Sequence, residues 1–202
     1  MLNLTQKLIV LLGLTACLAF PLSAVIPLPQ EISFTQEPVY FEMKEQTVIE
    51  TAPAFRAEAE IAAEELRRST GISLPVTLDD GAPTDSKDGV PTGPVIRFVE
   101  DASIAGREAY ALEVQPGFVK ISAATPAGAF YGYQTFRQLL PPQIYSRTKR
   151  PGVKWFAPAC LVKDAPRLQW RGLMVDDCRH FLGGEAIREM IDAMAAYKLN
   201  TL

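Results

Sequence analysis

The residues best equipped for chemistry in this 202-residue chain are Asp176, Asp177, Cys178, Arg179 and His180, five consecutive polar side chains near its end. Carboxylates beside a guanidinium and an imidazole suit acid–base work or the gripping of hydroxyl groups. His180 is the only histidine, which excludes a two-histidine zinc helix and any histidine-rich metal site. A serine or cysteine triad would have to use His180, and the chain has no G-x-S-x-G elbow. Chemistry therefore rests on carboxylates and arginines, or is absent. Four aspartates, Asp79, Asp80, Asp85 and Asp88, crowd one loop but lack the D-x-D-x-D-G register of a calcium site, so neither metal nor cofactor is expected. A net charge of -3 with scattered Lys and Arg argues against nucleic acid as a partner. Cys17, Cys160 and Cys178 lie far apart without C-x-x-C spacing; a Cys160–Cys178 disulfide is open, and two separate buried thiols is the plainer reading.

The elements that must hold this cluster are visible on both sides of it. Gly172-Leu173-Met174-Val175 is a short apolar run that ends in the polar residues. After Gly183-Gly184, apolar side chains at Ile187, Met190, Ile191, Met194 and Ala195 follow the i, i+3, i+4, i+7, i+8 spacing of a helix packed on one side. Lys198 to Leu202 then starts another strand. Strand, polar turn, amphipathic helix, strand is the βαβ unit of a parallel sheet or barrel. In such units functional groups gather at the carboxyl ends of the strands, here Asp176 to His180.

Upstream, residues 1–24 read as an export signal: Lys7, then the apolar Leu8 to Leu14, then small residues at Ala16, Ala19, Ser23 and Ala24. Cleavage after Ala24 would give a periplasmic or secreted protein beginning at Val25. Leu14-Thr15-Ala16-Cys17 also resembles a lipobox, in which Cys17 becomes a lipid anchor; the apolar residues after Cys17 favour plain export. From Val25 to about residue 165 the pattern is that of an α+β domain, a β-sheet with two packed helices. Strands are expected around Ile32–Phe34 and Thr47–Ile49. A helix follows over about Ala54 to Ser69, with Phe55, Ala59, Ala62 and Leu66 buried and Gly71 as its left-handed cap. Leu74 to Leu78 reads as an edge strand and Asp79 to Gly93 as an exposed loop. Val95 to Val99, Ala109 to Val114 and Phe118 to Ala123 read as strands, the last two joined by the turn Gln115-Pro116-Gly117. Thr125-Pro126 begins a second helix whose inner face is Ala129, Tyr133, Phe136 and Leu140, ended by Pro141-Pro142. The aromatic run Phe130, Tyr131, Tyr133, Phe136 is read as core and not as a sugar platform. Residues 146–167 read as a connector without periodicity.

In order along the chain, VIPLPQ, EAYALEV, VKISAATPAGAFYGYQTFRQLLP, APRLQWRGLMVDDCRHF and IDAMAAYKLNTL resemble glycoside hydrolase family 20, the exported β-N-acetylhexosaminidases. The resemblance implies a small α+β domain at 25–165 followed, over 166–202, by the start of a (β/α)8 TIM barrel. It implies retaining, substrate-assisted hydrolysis of terminal non-reducing N-acetylglucosamine or N-acetylgalactosamine from glycans, in which the sugar's own acetamido oxygen attacks the anomeric carbon. It also implies that Arg179, the arginine of the RHF triplet, binds sugar hydroxyls, that Asp176 and His180 shape the rim, and that Arg171 at the start of the strand is structural.

The family's catalytic Asp-Glu pair is absent from this chain, and Asp176-Asp177 belongs to a different motif. A (β/α)8 barrel takes ~250 residues, so the expectation is a truncated barrel whose remainder is missing, and a chain that alone is inactive. The alternative is a non-catalytic exported carbohydrate-binding or scaffold protein. One βα unit by itself must expose its apolar stripe or lay it on the small domain.

Overall fold

The computed structural model describes residues 25–79, 93–176, 178–179 and 181–202. The export signal with Cys17, most of the aspartate-rich loop, Asp177 and His180 lie outside the described residues.

Among the described residues nine strands run in chain order: β1 (Glu31–Phe34), β2 (Tyr40–Glu42), β3 (Val48–Thr51), β4 (Val76–Leu78), β5 (Val95–Glu100), β6 (Tyr110–Gln115), β7 (Phe118–Ala123), β8 (Phe156–Pro158) and β9 (Cys160–Asp164). Three α-helices accompany them: α1 (Arg56–Thr70), α2 (Pro126–Leu139) and α3 (Gly184–Ala196). Seven strands form one mixed sheet in the order β1-β9-β6-β7-β5-β3-β4; β2 and β8 pair as a separate antiparallel ribbon. The half from β7 to β4 is parallel, because β3 reaches β4 through α1; the half from β7 to β1 is antiparallel, because β6 and β7 are joined by a hairpin.

Alternation decides the faces. Tyr110, Leu112 and Val114 of β6 stand opposite Ala123, Ile121 and Val119 of β7, and all six are buried. Ile96 and Phe98 continue that face through β5, and Cys160 and Val162 extend it through β9. The other face is wet and charged, with Arg97 paired to Glu50 and Lys120 to Glu113 across neighbouring strands. This is one covered face and one solvated face, the arrangement of a two-layer α+β domain.

Helix α1 lies on β3 and β4, and α2 on β6 and β7. In α1 the buried residues include Ala59, Ala62 and Leu66, and the helix ends at Gly71 with φ 72°. In α2, Thr125 accepts a hydrogen bond from the Gly128 amide at 3.2 Å and Pro126 occupies the first turn. A side chain on Gly132 would sit 2.6 Å from Ile121 Cγ2, and one on Gly128 would collide with the Ala109 carbonyl oxygen. These two glycines let α2 press directly on the sheet. Tyr133 and Phe136 are fully buried and Tyr131 nearly so, so the aromatic run is core. The β2–β8 ribbon closes the far side, with the Phe41 ring edge-on to Phe136 at 6.0 Å.

Two expectations need correction. Residues 146–167 are no bare connector: they contain β8 and β9, and β9 sits inside the main sheet between β1 and β6. Its burial alternates over Cys160-Leu161-Val162-Lys163, but the exposed Leu161 is apolar, so the residue types themselves show no alternation. The apolar run Gly172 to Val175 is also less than a strand, pairing only at a parallel bridge between Gly172 and Thr201. Among the described residues no helix is long and apolar enough to cross a membrane.

Candidate substrate-binding site

The described residues of 168–202 form two extended segments on either side of α3, paired at one parallel bridge. The parallel bridge Gly172–Thr201 is supported by Leu173 N donating to Thr201 O at 3.0 Å and Asn200 N donating to Arg171 O at 2.8 Å. Helix α3 returns the chain between the two segments, and Lys198 makes the tight reversal with φ 59°. Gly183, with φ 87°, supplies the left-handed turn before α3.

This unit is held to the small domain by charge. Arg171 Nη1 lies 2.8 Å from Glu108 Oε2, its Nε donates to Lys198 O at 2.7 Å, and its guanidinium stands 5.5 Å from the centre of the Tyr131 ring. Asn200 Nδ2 donates to the other oxygen of Glu108 at 3.2 Å. Lys198 Nζ donates to Tyr110 OH at 2.6 Å and to Asp164 Oδ2 at 2.9 Å, and Tyr110 OH lies 2.6 Å from Thr135 Oγ1. Partial burial pushes the Glu108 carboxyl up, but hydrogen bonds from Arg171 and Asn200 outweigh it and hold the group below its ordinary range. Burial drives the Lys198 ammonium down; the Asp164 carboxylate opposes that without cancelling it.

The extended segment that starts at Arg171 leads into the polar cluster. Asp176 Oδ1 accepts from Cys178 N at 3.0 Å, a turn that fixes the backbone just before Arg179. Arg179 is exposed, and among the described residues it has no ion-pair partner, Asp176 included. Asp177 and His180 lie outside the described residues. Cys160 and Cys178 are both free, the first buried and the second exposed, so the disulfide is not formed and the expectation of two buried thiols fails for Cys178. Among the described residues no cluster of His, Cys, Asp and Glu could hold a metal ion.

Arg171 and Arg179 thus have opposite settings eight residues apart. Arg171 is saturated by protein, whereas Arg179 is exposed and has no ion-pair partner among the described residues. Glu108, Tyr110 and Asp164 escaped sequence reading. Each sits in a segment that reads as an ordinary strand or its flank, and only the fold shows what they face.

Residues 22–165 match the model of glycosyl hydrolase family 20, domain 2, and residues 168–202 match the catalytic domain of the same family. The chain belongs to glycosyl hydrolase family 20. It is 33% identical over 178 residues to a beta-hexosaminidase of Porphyromonas gingivalis, covering 87% of this chain and 21% of that protein. It is 34% identical over 181 residues to a beta-N-acetylhexosaminidase of Cellulomonas fimi, covering 89% and 33%. Among solved structures, the family 20 beta-N-acetylhexosaminidase of Streptomyces coelicolor A3(2) superposes with a TM-score of 0.76 at 31% identity, over 89% of this chain and 34% of that one. A mutant Streptomyces plicatus beta-hexosaminidase in complex with its product GlcNAc superposes at 0.75 with 34% identity, over the same shares. The chain therefore spans about a fifth to a third of the length of these family members.

Proposed function

We propose that this chain is the N-terminal part of a β-N-acetylhexosaminidase. Residues 25–165 are its small α+β domain, and residues 166–202 are the first βα turn of its (β/α)8 barrel. The observation that carries this reading is that one chain matches both the second and the catalytic domains of one glycosidase family, with the exposed Arg179 eight residues after the tied-down Arg171. The substrate is a glycan with a terminal N-acetylglucosamine or N-acetylgalactosamine, and Arg179 holds its hydroxyls. Retaining cleavage assisted by the sugar's acetamido group needs an Asp-Glu pair to orient that group and to move the proton. No Asp-Glu dipeptide occurs among these 202 residues, so alone they hydrolyse nothing.

Offering a chromogenic N-acetylglucosaminide to the purified 202-residue chain tests the last point: no release above buffer is expected, and pH-dependent release overturns it. Joining the chain to the remaining catalytic portion of a family member tests the first. Hydrolysis is expected there, and Arg179→Ala should lower kcat/KM by about 10- to 100-fold, the scale of a lost charged hydrogen bond. An unchanged kcat/KM would remove Arg179 from the site.

The same reading makes the protein exported, with residues 1–24 as its signal. The support is the Lys7 start, the Leu8–Leu14 apolar run and the small residues before Val25. The mass of the mature protein tests it. Val25 as first residue is expected, a lipidated Cys17 would replace that cleavage with an anchor, and an intact Met1 on a cytoplasmic product would refute export.

A further inference from the structure

We infer that the cavity bounded by the ends of α1 and α2 and by the last turn of α3 is a second ligand site, shaped for a neutral, hydroxyl-rich ring: one sugar unit of a glycan. It takes from the proposed function only that glycans are at hand. The cavity opens beside Tyr197, just after α3, whereas Arg179 precedes that helix, which is about 20 Å long.

The cavity holds about 460 Å³, within the ~300–1,000 Å³ of small-molecule sites. Its walls are side chains already fixed by one another. Gln138 Nε2 donates to Ile26 O and to Ala196 O, both at 2.8 Å, which ties α2 to the end of α3. Arg137 Nη1 lies 2.9 Å from Glu65 Oε2, and its guanidinium stacks 4.4 Å from the centre of the Tyr145 ring. Both wall tyrosines keep much of their surface in water, Tyr145 at 42% and Tyr197 at 52% exposed. Burial raises the Tyr145 phenol most; Arg137 opposes that, while Glu65 and Tyr197 add to it, so the two phenols lie within electrostatic reach.

The charges select what can enter. Arg68, Arg137 and Arg147 each hold a carboxylate already, Glu64 at 3.0 Å and Glu65 and Glu189 at 2.9 Å, so an anion finds no unpaired cation. Asp192 is exposed and makes no ion pair among the described residues, but the three guanidiniums stand in the same wall and leave a cation little to gain. An apolar molecule would strip water from these groups and return no hydrogen bonds. A neutral polyol meets every condition. Its hydroxyls donate to Asp192 and accept from the N–H groups that a singly paired guanidinium leaves unused, and its C–H face lies on a tyrosine ring.

The test titrates the purified 202-residue chain with N-acetylglucosamine and follows backbone amides by NMR. Saturable shifts are expected at Tyr145, Ser146, Asp192 and Tyr197. Tyr197→Ala should weaken binding at least about fivefold, the scale of a lost ring contact, with the β5–β7 amides unmoved. If that change loosens α3, Asp192→Asn decides, since it alters one exposed carboxylate and should also weaken binding. Glucosamine as a cation and glucuronate as an anion should both bind more weakly than the neutral sugar. The inference is overturned by an absence of saturable shifts at those four amides, by a charged sugar that binds as tightly as the neutral one, or by parent-like binding in Asp192→Asn. Shifts confined to Arg179 and its neighbours overturn it too, while leaving the glycan reading in place.

Discussion

Lys198 Nζ and Asp164 Oδ2 lie 2.9 Å apart with both side chains nearly out of water, joining the tight turn after α3 to the last residue of β9. Tyr110 OH touches both partners, 2.6 Å from the ammonium and 2.9 Å from the carboxylate. Three residues far apart in sequence thus satisfy one another where water cannot. Asp164→Ala strands the ammonium, and breaking a buried pair this way costs about 3–5 kcal/mol. The expected result is a tail that is cleaved early in limited proteolysis while the small domain survives. Replacing both partners, Asp164→Leu with Lys198→Met, should be milder than either change alone, since no orphaned charge remains. A double variant as sensitive as Asp164→Ala would contradict this.

Acid should undock the same unit. The Glu108 carboxyl is held below its ordinary value of 4.5 in the folded chain. Its contribution is therefore complete above pH 4.5 and drains away as pH falls through the lowered folded value. Exchange at Leu173 and Thr201 should accelerate across that window, and Glu108→Gln should flatten the dependence. A profile that is level from pH 6 to 3 would show that Glu108 does not govern docking.

Helix α2 has no room for a side chain at Gly128 or Gly132, where it meets the sheet. Gly132→Val would place atoms 2.6 Å from Ile121 Cγ2 and 3.2 Å from the Tyr110 ring, and overpacking of this kind costs about 1–3 kcal/mol. The loss should be read as a lower midpoint in urea without a change in slope. Gly152, around which nothing lies within 4 Å, is a control for bulk, although its φ of 78° strains any side chain there.

The two described cysteines should separate cleanly under a thiol reagent. Burial pushes the Cys160 thiol up to about 12, whereas Cys178 is exposed. At pH 8 in the native chain, peptide mapping should find Cys178 alkylated and Cys160 untouched, with Cys160 reacting only in denaturant. Equal labelling would mean that β9 leaves the sheet readily.

What was legible in the sequence follows from how each signal is physically encoded. Helix α2 announced itself through Thr125, Pro126 and the Ala129–Tyr133–Phe136 stripe, because caps and 3.6-residue periodicity are local. The β6–β7 hairpin did so through Gln115-Pro116-Gly117 for the same reason. Strand β9 stayed hidden, since its exposed Leu161 is apolar and masks the alternation, and its place beside β6 is set by partners about fifty residues away. The site divided likewise. Arg171, Lys198 and Asn200 lie in segments that the sequence shows, but their roles depend on Glu108 and Asp164, which no spacing connects to them.

Every small-domain group that receives the tail precedes it in the chain: Glu108, Tyr110, Tyr131 and Asp164 all come before Leu168. Synthesis runs from the N-terminus, and domains fold as units while it proceeds. Arg171 therefore follows its carboxylate in the chain, and the groups that receive it are made before it. A segment that pairs with its neighbour at only one bridge is moored instead to a wall built from earlier residues.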